Sequence, residues 1–141
     1  MRNKFLSEST TTLIGDCKIL VIVESHFNIR SKCSNNFTLV GRSKPTAAKS
    51  PRGGIAVYRS NMSNLIVDVV CDTLPDCVMF ELRNSTALFI AYYIPPNNSK
   101  YYSDAYYDNL FMACELFLPR RDVFILVDLN SRIGNSFPTK D

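Results

Sequence analysis

The fold is constrained most by the segment Ile125-Leu126-Val127-Asp128-Leu129-Asn130-Ser131-Arg132-Ile133-Gly134-Asn135. In this segment an apolar run ends abruptly at a carboxylate, and an amide follows two residues later. The pattern predicts a buried strand that carries Asp128 and Asn130 to the end of a sheet, where α/β proteins place their chemistry.

A second segment has the same construction, because the nearly continuous apolar run 18–23 leads directly into Glu24. Two acids that follow buried strands supply the oxygen ligands that a hard cation such as Mg²⁺ prefers. A metal held there polarises a phosphoryl oxygen while a nearby carboxylate orients the attacking water. We therefore expect Glu24 and Asp128 to converge, although each acid alone is also compatible with a solvated strand end.

Length and composition indicate one globular domain. The chain has 141 residues, of which 46% are hydrophobic and 11% aromatic, enough for a sizeable core. No apolar run is long enough to span a bilayer. The five cysteines show no CxxC or Cys/His spacing, which disfavours a disulfide framework and a zinc site and indicates reduced thiols in an intracellular protein.

Charge is unevenly distributed along the chain. Seven basic residues and no acid lie in the range 25–67, so that all thirteen acids fall elsewhere. A basic segment beside an acidic remainder suits a polyanion partner. The alternative is a solvated loop whose charge maintains solubility.

Periodicity predicts a mixed α/β (α+β) fold with one long loop over 27–52. Ser103 is the predicted N-cap of a helix that ends at Pro119 and packs one apolar stripe on a sheet. The predicted strands cover residues 18–23, 55–58, 65–71, 78–83, 87–93 and 122–127, and the middle four of these form one meander.

Two further side chains are candidates for chemistry. Tyr93 ends an apolar strand just before two prolines, and a phenol there can hydrogen-bond a phosphate. The alternative for Tyr93 is an aromatic ring at the rim of the core. His26 is the only histidine and lies two residues after Glu24, where it could touch substrate or metal, but a surface position on the loop is the favoured interpretation.

Four segments in order carry a family resemblance that covers about residues 17–135. They resemble motifs of the endonuclease/exonuclease/phosphatase superfamily, and the Tyr-x-Pro-Pro and Arg-Ile-Gly details look most like the endonuclease domain that precedes reverse transcriptase in non-LTR retrotransposons. The four segments are Glu24-Ser25-His26, Gly53-Gly54-Ile55-Ala56-Val57-Tyr58, Phe89-Ile90-Ala91-Tyr92-Tyr93-Ile94-Pro95-Pro96-Asn97-Asn98-Ser99 and Val127-Asp128-Leu129-Asn130-Ser131-Arg132-Ile133-Gly134.

The resemblance implies a four-layer αββα sandwich with a mixed sheet, and hydrolysis of phosphodiester bonds in DNA. By position, Glu24 would bind the divalent metal, normally Mg²⁺ or else Mn²⁺, and Tyr93 would contact the scissile phosphate. Asp128 would orient or activate water or assist the leaving group, and Asn130 would hold a phosphate oxygen. The basic stretch 30–59, with Lys49, Arg52 and Arg59, would then be a candidate surface for contact with the DNA backbone. A reverse transcriptase domain is the implied partner in a full-length relative, and the nucleus is the implied location of a retrotransposon-derived nuclease.

The chain also departs from the family pattern. No segment before Lys18 resembles the family's first strand with its asparagine, and the Ser-Asp-His segment is not found before Asp141. Val127 stands where glycine is usual. We therefore expect one incomplete domain over 1–141, with apolar surface uncovered, a sheet edge unpaired and activity impaired. The alternatives are a non-catalytic remnant that retains nucleic-acid binding, or an enzyme acting on RNA, an inositol phosphate or a sphingolipid.

Overall fold

The computed structural model describes residues 16–23, 36–43, 54–119 and 121–129. Within these ranges the chain is a mixed α+β structure, made mostly of strands, with two sheets and one helix. The elements in chain order are β1 (Ile19–Val23), β2 (Phe37–Arg42), β3 (Ile55–Ser60), β4 (Val67–Cys71), β5 (Cys77–Leu82), β6 (Ala87–Tyr93), α1 (Ala105–Phe117) and β7 (Asp122–Asp128).

The strands form one antiparallel sheet of order β1-β3-β2 and one mixed sheet of order β4-β5-β6-β7. In the mixed sheet β4, β5 and β6 are antiparallel neighbours, whereas β6 and β7 run parallel. A parallel pair needs a crossover connection, and α1 supplies it between β6 and β7. Because the two strands run in the same direction, the carboxyl ends of β6 and β7 lie side by side at one end of the sheet.

The two sheets pack against each other through a shared apolar cluster. Partly buried side chains of β1, including that of Val23, complete this cluster. Its fully buried members come from β3, β5 and β6, and they are Ile55, Val57, Val78, Phe80, Ala91 and Tyr93.

The helix covers the other face of the mixed sheet. Cys77 and Met79 of β5 pack there with the apolar stripe predicted for the helix, which is confirmed. The stripe consists of Tyr106, Leu110, Ala113, Cys114 and Phe117. The prediction that β5 is half-exposed was wrong, since α1 covers one face of β5 while the three-stranded sheet covers the other.

Two predictions about strand order need correction. The segment 27–52 is not all loop, because β2 lies within it, with Phe37 and Gly41 buried and its other residues half-buried or exposed. The first strand of the predicted meander, β3, pairs instead with β1 and β2 in the other sheet. A short edge strand with few buried side chains leaves too weak an apolar period to be seen in the sequence.

The start of the helix also differs from its prediction. The N-cap is Asp104 rather than Ser103, and the Asp104 side chain makes no capping hydrogen bond. The Ser103 hydroxyl oxygen instead accepts a bond of 3.3 Å from the backbone N–H of Ala105. Within the described ranges, no helix has the length and apolar character needed to cross a membrane.

The strand β7 is an exposed edge strand and not the buried strand that was predicted. Phe124 is 50% exposed and Ile125 46% exposed, although the Phe124 ring stacks on that of Phe89 with 5.2 Å between centroids. The strand is exposed because β1, which contacts β6, is the last strand of the described three-stranded sheet on this side, so that sheet does not extend over β7. Within the described parts of the chain, β7 therefore lies at the edge of the mixed sheet and exposes apolar side chains.

We predict that Gly41→Ala destabilises the protein, because a Cβ atom at Gly41 would lie 2.8 Å from Cγ2 of Val69 in the opposite sheet. Overpacking of this kind costs about 1–3 kcal/mol of unfolding free energy. Val69→Ala removes the obstructing atom. In chemical denaturation, the double variant should therefore lose less free energy of unfolding than the sum of the losses in the two single variants. The matched control is Val70→Ala on the same strand. When it is combined with Gly41→Ala, the losses of unfolding free energy should be additive. Additive losses for the pair Gly41 and Val69 would contradict the packing of the two sheets.

Candidate functional site

Tyr93 and Asp128 are brought together by the register of the parallel pair. They are the last residues of β6 and β7, and they are register partners. The backbone N–H of Ile94 donates to the carbonyl oxygen of Asp128 at 3.0 Å, which closes the pair. Paired positions of neighbouring strands present their side chains on the same face. Since Tyr93 belongs to the cluster between the sheets, Asp128 also lies on that face.

The two residues differ in burial. Tyr93 is only 4% exposed, whereas the Asp128 side chain is half-buried. A carboxylate that water can reach at the carboxyl end of a parallel strand is well placed to orient a water molecule or accept a proton. The phenol beside it can donate a hydrogen bond to a phosphoryl oxygen.

A buried carboxylate that the sequence analysis missed holds this region in place. Asp76 is 1% exposed, and its side chain accepts hydrogen bonds from the Gly54 backbone N–H at 2.8 Å and from the Tyr106 hydroxyl at 3.2 Å. Its carbonyl oxygen accepts the backbone N–H of Tyr93 at 3.0 Å. One residue therefore ties the three-stranded sheet, the helix and the end of β6 to one another.

The backbone at Asp76 explains why an aspartate suits this position. Its φ is 50°, in the left-handed region that aspartate tolerates better than most residues. The sequence showed Asp76 only as the end of a polar turn before β5. No sequence signal marked Asp76 as buried, because its hydrogen-bond donors Gly54 and Tyr106 are remote along the chain.

Hydrogen bonds also define the neighbouring end of the three-stranded sheet. The Ser43 hydroxyl accepts the backbone N–H of Ile55 at 2.9 Å, and the Ser43 backbone N–H donates to the Ile55 carbonyl at 3.0 Å. Ile55 is also the register partner of Val23 at the carboxyl end of β1. Through Gly54 and Asp76, this end of the sheet lies against the segment that ends in Tyr93.

Several predicted site residues lie outside the described residues, namely Glu24, His26, Lys49, Arg52 and Asn130. Val23 and Leu129, the covalent neighbours of Glu24 and Asn130, are described. Val23 lies in the same apolar cluster as Tyr93, and Leu129 follows Asp128 directly. The convergence of Glu24 with Asp128 therefore stays a prediction.

Arg59 lies at the other end of the three-stranded sheet. Arg59 pairs with Ile19, whereas Ile55, four residues earlier on β3, pairs with Val23. At a rise of about 3.3 Å per residue this separation is roughly 13 Å. Its guanidinium donates from Nη1 to the carbonyl oxygen of Leu65 at 3.3 Å, and its Nε is buried without a hydrogen-bond partner among the described residues. The structure does not bring Arg59 to Tyr93 and Asp128.

The donor set available to a metal is small within the described part of the chain. In those ranges, no three or more His, Cys, Asp or Glu side chains form a group that could hold a metal ion. A Mg²⁺ site needs only one or two carboxylates, with water and substrate phosphate completing the octahedron. The Asp128 carboxylate is a hard oxygen ligand and fits such a site by its chemistry.

No protein-family model, curated protein or solved structure matches this chain.

We predict that Asp76→Ala lowers the free energy of unfolding by about 3 kcal/mol or more, because it removes the carboxylate that accepts two buried hydrogen bonds and strains the backbone. Asp76→Asn should cost less, since asparagine tolerates the same φ and keeps one acceptor. Tyr106→Phe, which removes one donor, should cost about 1–2 kcal/mol of unfolding free energy.

The exposed Asp72 offers the matched control, and Asp72→Ala should stay within about 0.5 kcal/mol of wild type in chemical denaturation. Equal effects at positions 72 and 76 would contradict the role given to Asp76.

Proposed function

We propose that this chain carries a Mg²⁺-dependent phosphodiesterase site of the endonuclease/exonuclease/phosphatase type, with DNA as its substrate. The observation that carries the proposal is the pairing of Tyr93 with Asp128 at the carboxyl ends of β6 and β7. Their placement on the face between the sheets accords with the roles that the motif resemblance implies for them. The choice of DNA rests on the Tyr-Ile-Pro-Pro and Arg-Ile-Gly segments and on the basic stretch.

Each residue has a stated task in this proposal. Asp128 accepts a hydrogen bond from water and orients it toward the phosphorus. The Tyr93 hydroxyl and the Asn130 amide donate to phosphoryl oxygens, which stabilises the charge that develops there. Glu24 holds the divalent metal, which when bound supplies further charge neutralisation.

We extend the proposal to the fold, as a four-layer αββα sandwich of which the described elements form part. Two observations support it. The sheets share one apolar cluster, and α1 covers the outer face of the mixed sheet. The exposed edge of β7 marks where further structure would extend the mixed sheet.

The contact with DNA is proposed to come mainly from the basic segment through Lys49 and Arg52. Arg59 contributes less, since its guanidinium already bonds the Leu65 carbonyl at the far end of the sheet. Contacts of this kind neutralise phosphates, so affinity for DNA should fall as salt rises. For a nuclease of the retrotransposon type, we propose the nucleus as the site of action.

The two aspartates of β7 allow a matched test. Asp122 begins the strand and Asp128 ends it, and the exposed Asp122 carboxylate accepts a hydrogen bond of 3.3 Å from the Thr86 hydroxyl. In a supercoiled-plasmid nicking assay with Mg²⁺, Asp128→Asn should lower the rate by about 10²-fold or more, as expected when a group that positions water is removed. Asp122→Asn should leave the rate within about twofold, because a substitution away from the site is nearly neutral.

Controls separate the proposal from its alternatives. Glu24→Gln and EDTA should each abolish nicking, and nicking that survives both would refute the metal mechanism. Hydrolysis of RNA, an inositol phosphate or a sphingolipid in place of DNA would correct the substrate and keep the mechanism. A folded wild-type protein that hydrolyses none of these substrates would overturn the proposal in favour of a non-catalytic remnant.

A further inference from the structure

A large cavity lies on the side of the mixed sheet that faces the helix. Its volume is about 650 Å³. Tyr93 and Asp128 are on the opposite face of this sheet, so the cavity is separate from the proposed phosphodiesterase site. It is lined by side chains of α1, β4, β5, β6 and the turn between β4 and β5, among them Cys71, Leu74, Met79, Tyr92, Met112 and Leu116.

We propose that this cavity binds an uncharged, mainly apolar small molecule. The cavity is open to solvent, since Met112 and Leu116 in its lining are each 66% exposed, and a ligand that fills it would remove this apolar surface from water. Sites for small molecules have volumes of about 300–1,000 Å³ and are lined mostly by apolar and aromatic side chains with a few polar groups. The cavity between α1 and the sheet meets each of these criteria.

The lining determines the chemical class of the ligand. Among the described residues, those that line the cavity include no Asp, Glu, Lys, Arg or His. A charged ligand would give up its hydration without gaining a partner there, which is strongly unfavourable. Tyr101, Ser103 and Asn109 supply the polar groups, and the last two are exposed, at the mouth of the cavity. A ligand with an aromatic or aliphatic body and one hydrogen-bonding group at its outer end fits this arrangement.

Two thiols line the cavity and differ in reactivity. Burial raises the pKa of the Cys77 thiol to about 12, so this thiol stays protonated. Burial also acts to raise the pKa of Cys71, but hydrogen bonds with Thr73 and the Leu74 backbone outweigh it and hold that pKa below its usual value. Since the thiolate is the reactive form, Cys71 is the more reactive of the two and reports on occupancy of the cavity.

The chain offers a matched pair of leucines for the test. Leu116 and Leu118 are 66% and 57% exposed at the end of α1, but only Leu116 lines the cavity. Lysine is favourable at a helix C-terminus, so both lysine variants should fold, which circular dichroism checks. Nile red, a neutral apolar dye, is titrated into each protein and followed by its fluorescence.

We predict saturable binding of one Nile red molecule by the wild-type protein. Leu116→Lys should weaken that binding about tenfold or more, because replacing an apolar side chain in an apolar site changes affinity by on the order of tenfold. Leu118→Lys should change the affinity by less than about twofold, since this residue does not line the cavity. Absence of saturable binding, or an equal weakening in both variants, would overturn the proposal.

A second measurement locates the bound dye. Modification by N-ethylmaleimide is followed by peptide mass spectrometry at Cys71 and, as an internal control, at Cys17, which is half-buried and outside the cavity. Saturating Nile red should slow modification of Cys71 about fivefold or more without slowing that of Cys17, because occupancy excludes the reagent. An unchanged rate at Cys71 would show that the dye binds elsewhere and would contradict the proposal.

Discussion

The arrangement of this structure depends on one buried carboxylate. The two oxygens of Asp76 accept hydrogen bonds from Gly54, which directly precedes β3 of the three-stranded sheet, and from Tyr106 of the helix, and its backbone carbonyl accepts the N–H of Tyr93. A buried carboxylate is costly unless hydrogen bonds compensate its lost hydration. Because its donors come from separate elements, the compensation exists only when those elements are in their observed places. The carboxylate therefore specifies how the sheets and the helix are arranged.

A second constraint acts within the mixed sheet. The parallel pairing of β6 with β7 requires the helical crossover, and it places the ends of both strands at one edge. Asp76 holds the end of the three-stranded sheet at the same edge, so the residue before Glu24 shares a cluster with Tyr93. The candidate phosphodiesterase site and the apolar cavity then lie on opposite faces of a single sheet. Each face uses alternate residues of the same strands.

The elements with strong periodicity could be predicted from the sequence. The strand over 87–93 and the helical stripe that begins at Tyr106 were recognised because each has a clear apolar period. The positions of Tyr93 and Asp128 at strand ends followed from apolar runs that end in polar side chains, whereas their pairing with each other was seen only in the structure. These are local patterns, and they do not depend on distant parts of the chain.

The remaining features depend on tertiary contacts that no local pattern records. The strand over 37–42 was hidden in a polar segment, and β7 carries an apolar sequence but lies at an exposed edge. Asp76 resembled any turn residue until the helix and the other sheet were placed around it. Which sheet a strand joins, and which faces become buried, is decided by the assembly of elements rather than by propensity.

The most direct test is amide hydrogen exchange of Gly54, measured by nuclear magnetic resonance. The N–H of Gly54 lies before the first residue of β3 and donates to the Asp76 carboxylate. The account predicts that in the wild-type protein it exchanges about as slowly as the N–H of Ile55, and that Asp76→Asn, which removes the charge from this bond, speeds its exchange roughly tenfold or more. A Gly54 amide that exchanges in the wild-type protein as fast as in an unfolded chain would contradict the central role of Asp76.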